Sequence, residues 1–270
     1  MRATILADNI GTENLAGEWG LSIWIEAHGK KLLLDAGASG LFAENAEKLG
    51  ISLKDADCAV LSHAHYDHSY GMKTFFEQND SAPFCFRETT AENCYAKFSI
   101  FKKYIGIPKG ITKEYADRIV TVTGDYRIAE GIWLIPHKTP GLEKVGVREH
   151  MYRRSGMRFL PDDFSHEQSL VIDTEKGLVI FNSCSHGGAD NIIEEVAATF
   201  PDKHVEAIIG GFHLFNKSEA EVNAFAERVK NTGINRVCTG HCTGKRAYKL
   251  LKEALGERVE QLSVGKVIAL

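Results

Sequence analysis

The chain has few covalent or electrostatic specialities, and each shortage excludes something. Its six cysteines (Cys58, Cys85, Cys94, Cys184, Cys238 and Cys242) are sparse for 270 residues and lack the spacing of a disulfide framework, which suits a reducing compartment. Cys238 and Cys242 form one C-x3-C pair with no second pair to complete a structural zinc site, so small buried thiols near a strand end are the simpler reading. Charge of one sign is missing too. With 32 basic and 36 acidic residues the net charge is −4, and no global field recruits nucleic acid or an anionic membrane. No apolar run approaches the roughly 20 residues that cross a bilayer. The first residues, MRATILADNIGTEN, lack the apolar core and cleavage site of a signal peptide. There is no internal repeat, low-complexity tract or linker. These absences predict a cytoplasmic protein with no nucleic-acid or membrane partner.

What is present is an ordinary globular composition, 44% apolar and 25% charged, enough for a sizeable core. A single domain over 1–270 is expected. LSIWIEA (21–27) and KKLLLDAG (30–37) read as paired strands, GLFAENAEKLG (40–50) as a helix closed by glycine, and DCAVLSH (57–63) as a buried strand. Ser69 is a candidate N-cap for a helix through YGMKTFFEQ. Residues 87–118 are aromatic-studded and read as an inserted helical cap. Residues 137–165 read as a long irregular loop, basic in its middle (Arg148, Arg153, Arg154, Arg158); such a stretch in a compact domain is usually functional or mobile. A hairpin, QSLVIDTEKGLVIFN (168–182), follows, and then strands and helices alternate to the C-terminus. Two sheets packed together with helices outside fit this order.

The dense feature is LSHAHYDHSYG (61–71), three of the chain's 11 histidines and an aspartate within six positions. On an extended segment His63 and His65 project to one side, so both rings can reach one ion. After the turn, Asp67 and His68 can serve a second. Imidazole and carboxylate donors suit zinc, and also iron or manganese. Other ligands must come from elsewhere, and three later strand ends offer them: FNSCSHGG (181–188) with Cys184 and His186, IIGGFHL (208–214) with His213, and VCTGHCTG (237–244) with His241. Each lies where a strand leaves the sheet and a helix is about to begin. His213 is as readily a hydrogen-bonded strand-end residue as a ligand.

With H-x-H-x-D-H after a buried strand, an upstream LLLDAG strand end (Asp35) and single ligands at later strand ends, the sequence resembles the metallo-β-lactamase-fold hydrolase superfamily. ADN (7–9), GEWGLSIWIE, LLLDAGASGLFAENAEKLGISL, GLVIFNSCSHGGADNI, IIGGFHL and GHCTG are similar to the subfamily named for a dihydropterin–ribofuranosylaminobenzene phosphate synthase. The resemblance spans essentially the whole chain. It implies an α/β fold, an αββα sandwich of two mixed sheets with outer helices, and a two-metal groove along one sheet edge. It also implies a ligand set of His63, His65, Asp67, His68, His186 and His241. Cys184 would bridge or adjoin, and His166 is the substitute for His186. Trp19 stands where a histidine is expected and Tyr70 where glycine is usual, so the groove lining differs.

Two divalent ions, zinc first with iron or manganese as alternatives, would lower the pKa of a shared water toward about 7. Asp67 would hold the second ion and orient or deprotonate that water. Helix starts after the ligand loops, with Thr243 at one of them, favour an anionic substrate. His213, Thr243 and Trp19 are the candidate substrate contacts. A metal-dependent hydrolase of a small anionic, phosphate-containing substrate is the leading expectation. A synthase or transferase like the subfamily's namesake is the alternative, and a non-hydrolytic di-iron or metal-binding protein the third. A homo-oligomer is compatible with the sequence.

Overall fold

The computed structural model describes residues 1–270. Its strands form two seven-stranded mixed sheets and one four-stranded sheet. Across the first large sheet the order is Val267–Ala269, Arg2–Ala7, Ser22–Ala27, Lys30–Leu34, Cys58–Val60, Phe84–Arg87 and Ile119–Val122. The second runs Val259–Gln261, Arg236–Thr239, Val205–Gly210, Gly177–Phe181, Gln168–Thr174, Ile132–Pro136 and Tyr126–Ala129.

Period-2 alternation divides these strands between two apolar layers. Ile23, Ile25, Leu32 and Leu34 of the first sheet meet Leu170, Ile172, Val179 and Phe181 of the second in one buried cluster. The residues between them face outward. Trp24 and Leu33 pack with Phe42, Ala46, Met72 and Phe75 from the helices Leu41–Lys48 and Met72–Gln78. Val171, Leu178 and Ile180 pack with the helices Ala189–Thr199, Glu219–Asn231 and Lys245–Leu255. One core lies between the sheets and one outside each, which is the αββα sandwich.

The cap differs from its expectation. Residues 87–118 are not mainly helical: Cys94–Phe98 and Phe101–Tyr104 form a hairpin, and helix is confined to single turns at Ile111–Glu114 and Ala116–Arg118. Nor is 137–165 irregular. It holds the helix Glu143–Arg148 and the hairpin Met151–Ser155/Arg158–Pro161, which pairs with Cys94–Phe98 to make the small sheet. Aromatic pairs across the strands explain the choice: Tyr95 meets Tyr104 and Phe159 at ring separations of 5.4 and 5.0 Å.

The turn after the histidine motif also departs from expectation. A helical turn, Tyr66–Ser69, already begins inside the motif with His65 at its N-cap, and the Ser69 hydroxyl bonds back to the His65 carbonyl at 2.7 Å instead of capping the next helix. Gly71 precedes Met72–Gln78, and a Cβ there would lie 2.0 Å from the Ala36 carbonyl oxygen. Only glycine allows the motif turn to press against the strand end that carries Asp35.

Candidate metal centre

The parallel pairing of Lys30–Leu34 with Cys58–Val60, and of Gly177–Phe181 with Val205–Gly210 and Arg236–Thr239, brings five strand ends to one side. The residues just beyond them turn sharply. Asp35, Ser185, His213 and His241 all adopt positive φ between 45° and 58°, a region costly for residues other than glycine and concentrated at functional sites.

The imidazoles form a continuous buried cluster. His63 lies 4.6 Å from His65, 4.3 Å from His68 and 5.1 Å from His186, measured between ring centres; His68 is 4.9 Å from His241. Three of the rings are oriented from behind. Ser62 Oγ contacts His63 Nδ1 at 2.9 Å, Asp35 Oδ2 accepts from His68 Nδ1 at 2.8 Å, and Asn9 Oδ1 accepts from His241 Nδ1 at 3.0 Å. Asp35 also receives the Ser62 N–H and the hydroxyls of Ser62 and Ser183. These outer contacts set the tautomers and leave Nε2 to face inward. The inward nitrogens have no protein partner: His63 Nε2, His65 Nε2, both nitrogens of His186 and His241 Nε2 are buried and unpaired. Such groups are rare in native interiors. The ligand atoms of His63, His65 and His186 lie within 4.8 Å of one another, as do those of His63, His68 and Cys184. A donor set of converging imidazoles, a carboxylate and a thiol fits a divalent metal.

Electrostatics divides the cluster. Burial and neighbouring imidazoles push His63 and His186 well below the usual histidine value, and burial with His166 takes His65 to about 3. All three are neutral, the form that ligates. Burial opposes ionisation of Asp67, yet His68 and His241 outweigh it and hold the carboxyl below its ordinary range. Asp67 Oδ2 accepts from Trp19 Nε1 at 3.0 Å and lies 3.4 Å from His241 Nε2 and 3.8 Å from His68 Nε2.

The structure brings together all seven proposed ligands. His186 groups with both His63 and His65, whereas His166 groups with His65, Cys94 and Asp162. Cys184 Sγ sits 3.3 Å from His68 Nε2 and 3.4 Å from Cys242 Sγ. Cys238 is a core thiol, but Cys242 is not: it belongs to the site and accepts the His213 N–H. Trp19 lies against His241 and Phe215. His213 stacks beside His186 at 4.7 Å. Thr243 is buried with its hydroxyl engaged by the Phe212 N–H and Thr239, which leaves it a wall of the site.

Sequence reasoning missed Asn9 and Glu167. Glu167 is buried, accepts the His186 N–H at 3.2 Å and meets His137 Nε2 at 2.9 Å. The ADN and HEQS stretches were the available signals, but neither has a spacing that points to a ligand. Two cavities flank the cluster. One of about 410 Å³ opens beside His186 and His213 and reaches Gly188, Arg148, Lys217 and Arg228. Another of about 220 Å³ lies between Trp19, His241 and Lys245.

Comparison with known proteins agrees with this geometry. Residues 20–200 match the family model of the metallo-beta-lactamase superfamily. The chain is 28% identical over 265 residues to a 7,8-dihydropterin-6-methyl-4-(beta-D-ribofuranosyl)-aminobenzene-5'-phosphate synthase from Methanocaldococcus jannaschii, covering 92% of this chain and 89% of that protein. A crystal structure described as a metal-dependent hydrolase of the beta-lactamase superfamily superposes with TM-score 0.84 at 26% identity, over 100% of this chain and 99% of that one. A diphosphatase from the PhnP family shares the fold, with TM-score 0.58 at 13% identity over 100% of this chain and 97% of that one. No helix is long and apolar enough to cross a membrane. With the sandwich, the strand-end histidines and a match over residues 20–200, the chain belongs to the metallo-β-lactamase superfamily.

Proposed function

We propose that this protein is a metal-dependent hydrolase of a small anionic substrate, with phosphate as the favoured anionic group. The observation that carries the reading is the set of buried, unpaired imidazole nitrogens beside Asp67. His63, His65 and His186 would hold one divalent ion, and Asp67, His68 and His241 a second, with Cys184 between them. Zinc is the first choice, and iron or manganese remain compatible with imidazole and carboxylate donors. Bound there, such ions supply Lewis acidity and make a nucleophilic water available near neutral pH.

The chain's own groups would do the rest. Asp67, fixed by Trp19, is placed to accept a hydrogen bond or proton from the attacking water. The larger cavity would seat the substrate. Gly188 caps the 11-residue helix Ala189–Thr199 at its wall, so free N–H groups and the helix dipole favour an anion. Lys217 and Arg228 add positive charge, but Glu149 and Asp190 pair with them. The pocket as a whole is therefore suited to a substrate with both anionic and neutral polar parts. Arg148 and Glu149 come from the 137–165 segment, so that segment helps line the pocket. The small sheet beyond it would help exclude bulk water.

A synthase-type transfer is the second reading, and the 28%-identical Methanocaldococcus jannaschii relative supports it. One experiment separates them: protein loaded with zinc, manganese or iron is incubated with phosphate mono- and diesters and lactones, and separately with a dihydropterin and a ribosylaminobenzene phosphate. Metal-dependent release of phosphate or a ring-opened acid, abolished by chelation, supports hydrolysis. A joined pterin product with no hydrolysis of any ester would overturn it.

A further inference from the structure

Beside the histidine cluster lies a second convergence of ligating groups. Cys94 opens the strand Cys94–Phe98, Asp162 follows Arg158–Pro161, His166 precedes the strand Gln168–Thr174, and His65 belongs to the motif. All four are buried, and each offers a ligand atom within 4.8 Å of the others. We propose that Cys94, Asp162, His166 and His65 form a further metal site, a zinc clamp that ties the small sheet to the histidine-motif loop. The proposal does not depend on which reaction the protein catalyses.

The donor chemistry supports it. One thiolate, two imidazoles and one carboxylate make the four donors of a tetrahedral zinc site. His166 Nδ1 accepts the Ala64 N–H at 3.2 Å, so only Nε2 remains to serve the group, and it faces Asp162 Oδ2 at 3.3 Å. That separation is longer than the roughly 2.7–2.9 Å of a charge-assisted bond. The Phe164 N–H fixes the other oxygen of Asp162 at 2.9 Å and leaves Oδ2 with only the long contact to His166. The Cys94 thiol lies in the same group as His166 and meets Asn93 Oδ1 at 3.7 Å, too long for a strong bond. His65 is the fourth member of the group.

A thiol–imidazole–carboxylate catalytic relay does not explain the arrangement. Such a relay needs the carboxylate on one ring nitrogen and the thiol on the other. Here the Ala64 N–H occupies Nδ1 and Asp162 faces Nε2, so no ring nitrogen is left to serve the thiol in a relay. Donors that meet at a point rather than in a line describe a coordination site. His65 belongs to both ligand groups. A neutral ring offers one lone pair, so to hold both ions at once it would release its N–H proton to solvent and bridge as imidazolate, one nitrogen to each ion. The consequence is mechanical: the small sheet and the loop that carries His63, His65 and Asp67 are fixed to each other.

The test is zinc content of the full-length protein, loaded with zinc and desalted, in wild type and in Cys94→Ser, Asp162→Asn and His166→Gln. Each variant should hold about one zinc less per chain than wild type, because four protein donors close a structural site. His186→Ala should lose zinc from the main centre and keep the clamp ion, so failure of either assignment is recognisable separately. Should Cys94→Ser fold poorly, the isosteric Asp162→Asn carries the count. In a cobalt-loaded Cys184→Ser/Cys242→Ser background, thiolate-to-cobalt absorption should persist and disappear when Cys94→Ser is added. Equal zinc counts in wild type and all folded variants, or no cobalt–thiolate absorption in that background, would overturn the proposal.

Discussion

The two ends of the buried histidine cluster are built on different principles. At one end His63, His65 and His186 come together with no carboxylate in the group, and burial keeps all three neutral. At the other end Asp67 lies among His68, His241 and the thiols of Cys184 and Cys242. Burial works against a protonated His241, yet Cys242 and Asp67 outweigh it and lift its pKa to about 9. An ion held by neutral imidazoles would keep its full positive charge, whereas one beside a carboxylate would be partly neutralised. On the proposed hydrolytic reading, the first end would polarise a substrate oxygen and the second would hold the base. The backing differs as well: Glu167 with His137 stands behind the first, and Asp35 directly behind the second, reaching the first only through Ser62.

The sharpest way to break this comparison is Asp67→Asn. Asparagine keeps the size and can still accept the Trp19 N–H, but it loses the charge and most of the basicity. Turnover should fall about 10²-fold or more at matched metal occupancy, the scale of a lost general base. Turnover close to wild type under those conditions would reduce Asp67 to a turn residue and erase the distinction between the ends.

Asp35→Asn attacks the backing instead. Its carboxylate orients His68 and gathers both Ser62 and Ser183, so its loss should weaken metal affinity about 10–100-fold, as for other outer-shell partners. Competition with a chelator should show one ion released well before the other. Equal weakening of both ions would mean that the ends act as one unit.

How much of this was legible in the sequence follows from distance along the chain. The sandwich was visible because Ile23/Ile25 and Val179/Phe181 alternate with outward residues within single strands. Strand-end histidines were visible for a similar reason: each marks the point where an apolar run stops. The cap misled because Tyr95, Phe98, Phe101 and Tyr104 recur every three residues, the period of a helical face. In the structure they lie on a hairpin that pairs Tyr95 with Tyr104 and Phe98 with Phe101. The supports were hidden because they are long-range. Asn9 meets His241 across 232 residues, and His166 receives the Ala64 N–H across 102. No local spacing encodes either contact.

Behind the first end, the comparison can be sharpened by pH. His137 contacts Glu167 Oε1 at 2.9 Å and Glu195 Oε2 at 3.2 Å. Burial alone would lower its pKa, but the two carboxylates raise it to about 9, above the ordinary histidine value of about 6.5. Its stabilisation is therefore fully present below about pH 6.5 and lost as pH rises through about 9. The effect should be on the order of 3 kcal/mol. Urea unfolding of wild type should show that loss across the window, and His137→Gln should flatten it. An unchanged pH profile in His137→Gln would show that the carboxylates, not the imidazole, govern this wall.

The smallest expected effect belongs to Trp19, which touches the second end from the solvent side. Its indole N–H donates to Asp67 Oδ2 at 3.0 Å, and its ring lies 5.4 Å from those of His241 and Phe215. Trp19→Phe keeps an aromatic ring at the mouth of the smaller cavity and removes only the donor. A hydrogen bond to a charged group contributes about 1.5–3 kcal/mol when buried. Trp19 is 43% exposed, so water can replace part of that bond and a loss of about 1 kcal/mol is expected. In turnover this is roughly five-fold, since 1.4 kcal/mol corresponds to about ten-fold. KM should stay near its wild-type value because the larger cavity is untouched. Trp19→His returns a ring N–H donor, and should recover part of the loss if the bond to Asp67 is what matters. A Trp19→Phe enzyme that turns over as fast as wild type, or a change confined to KM, would place Trp19 in substrate contact and remove it from the support of Asp67.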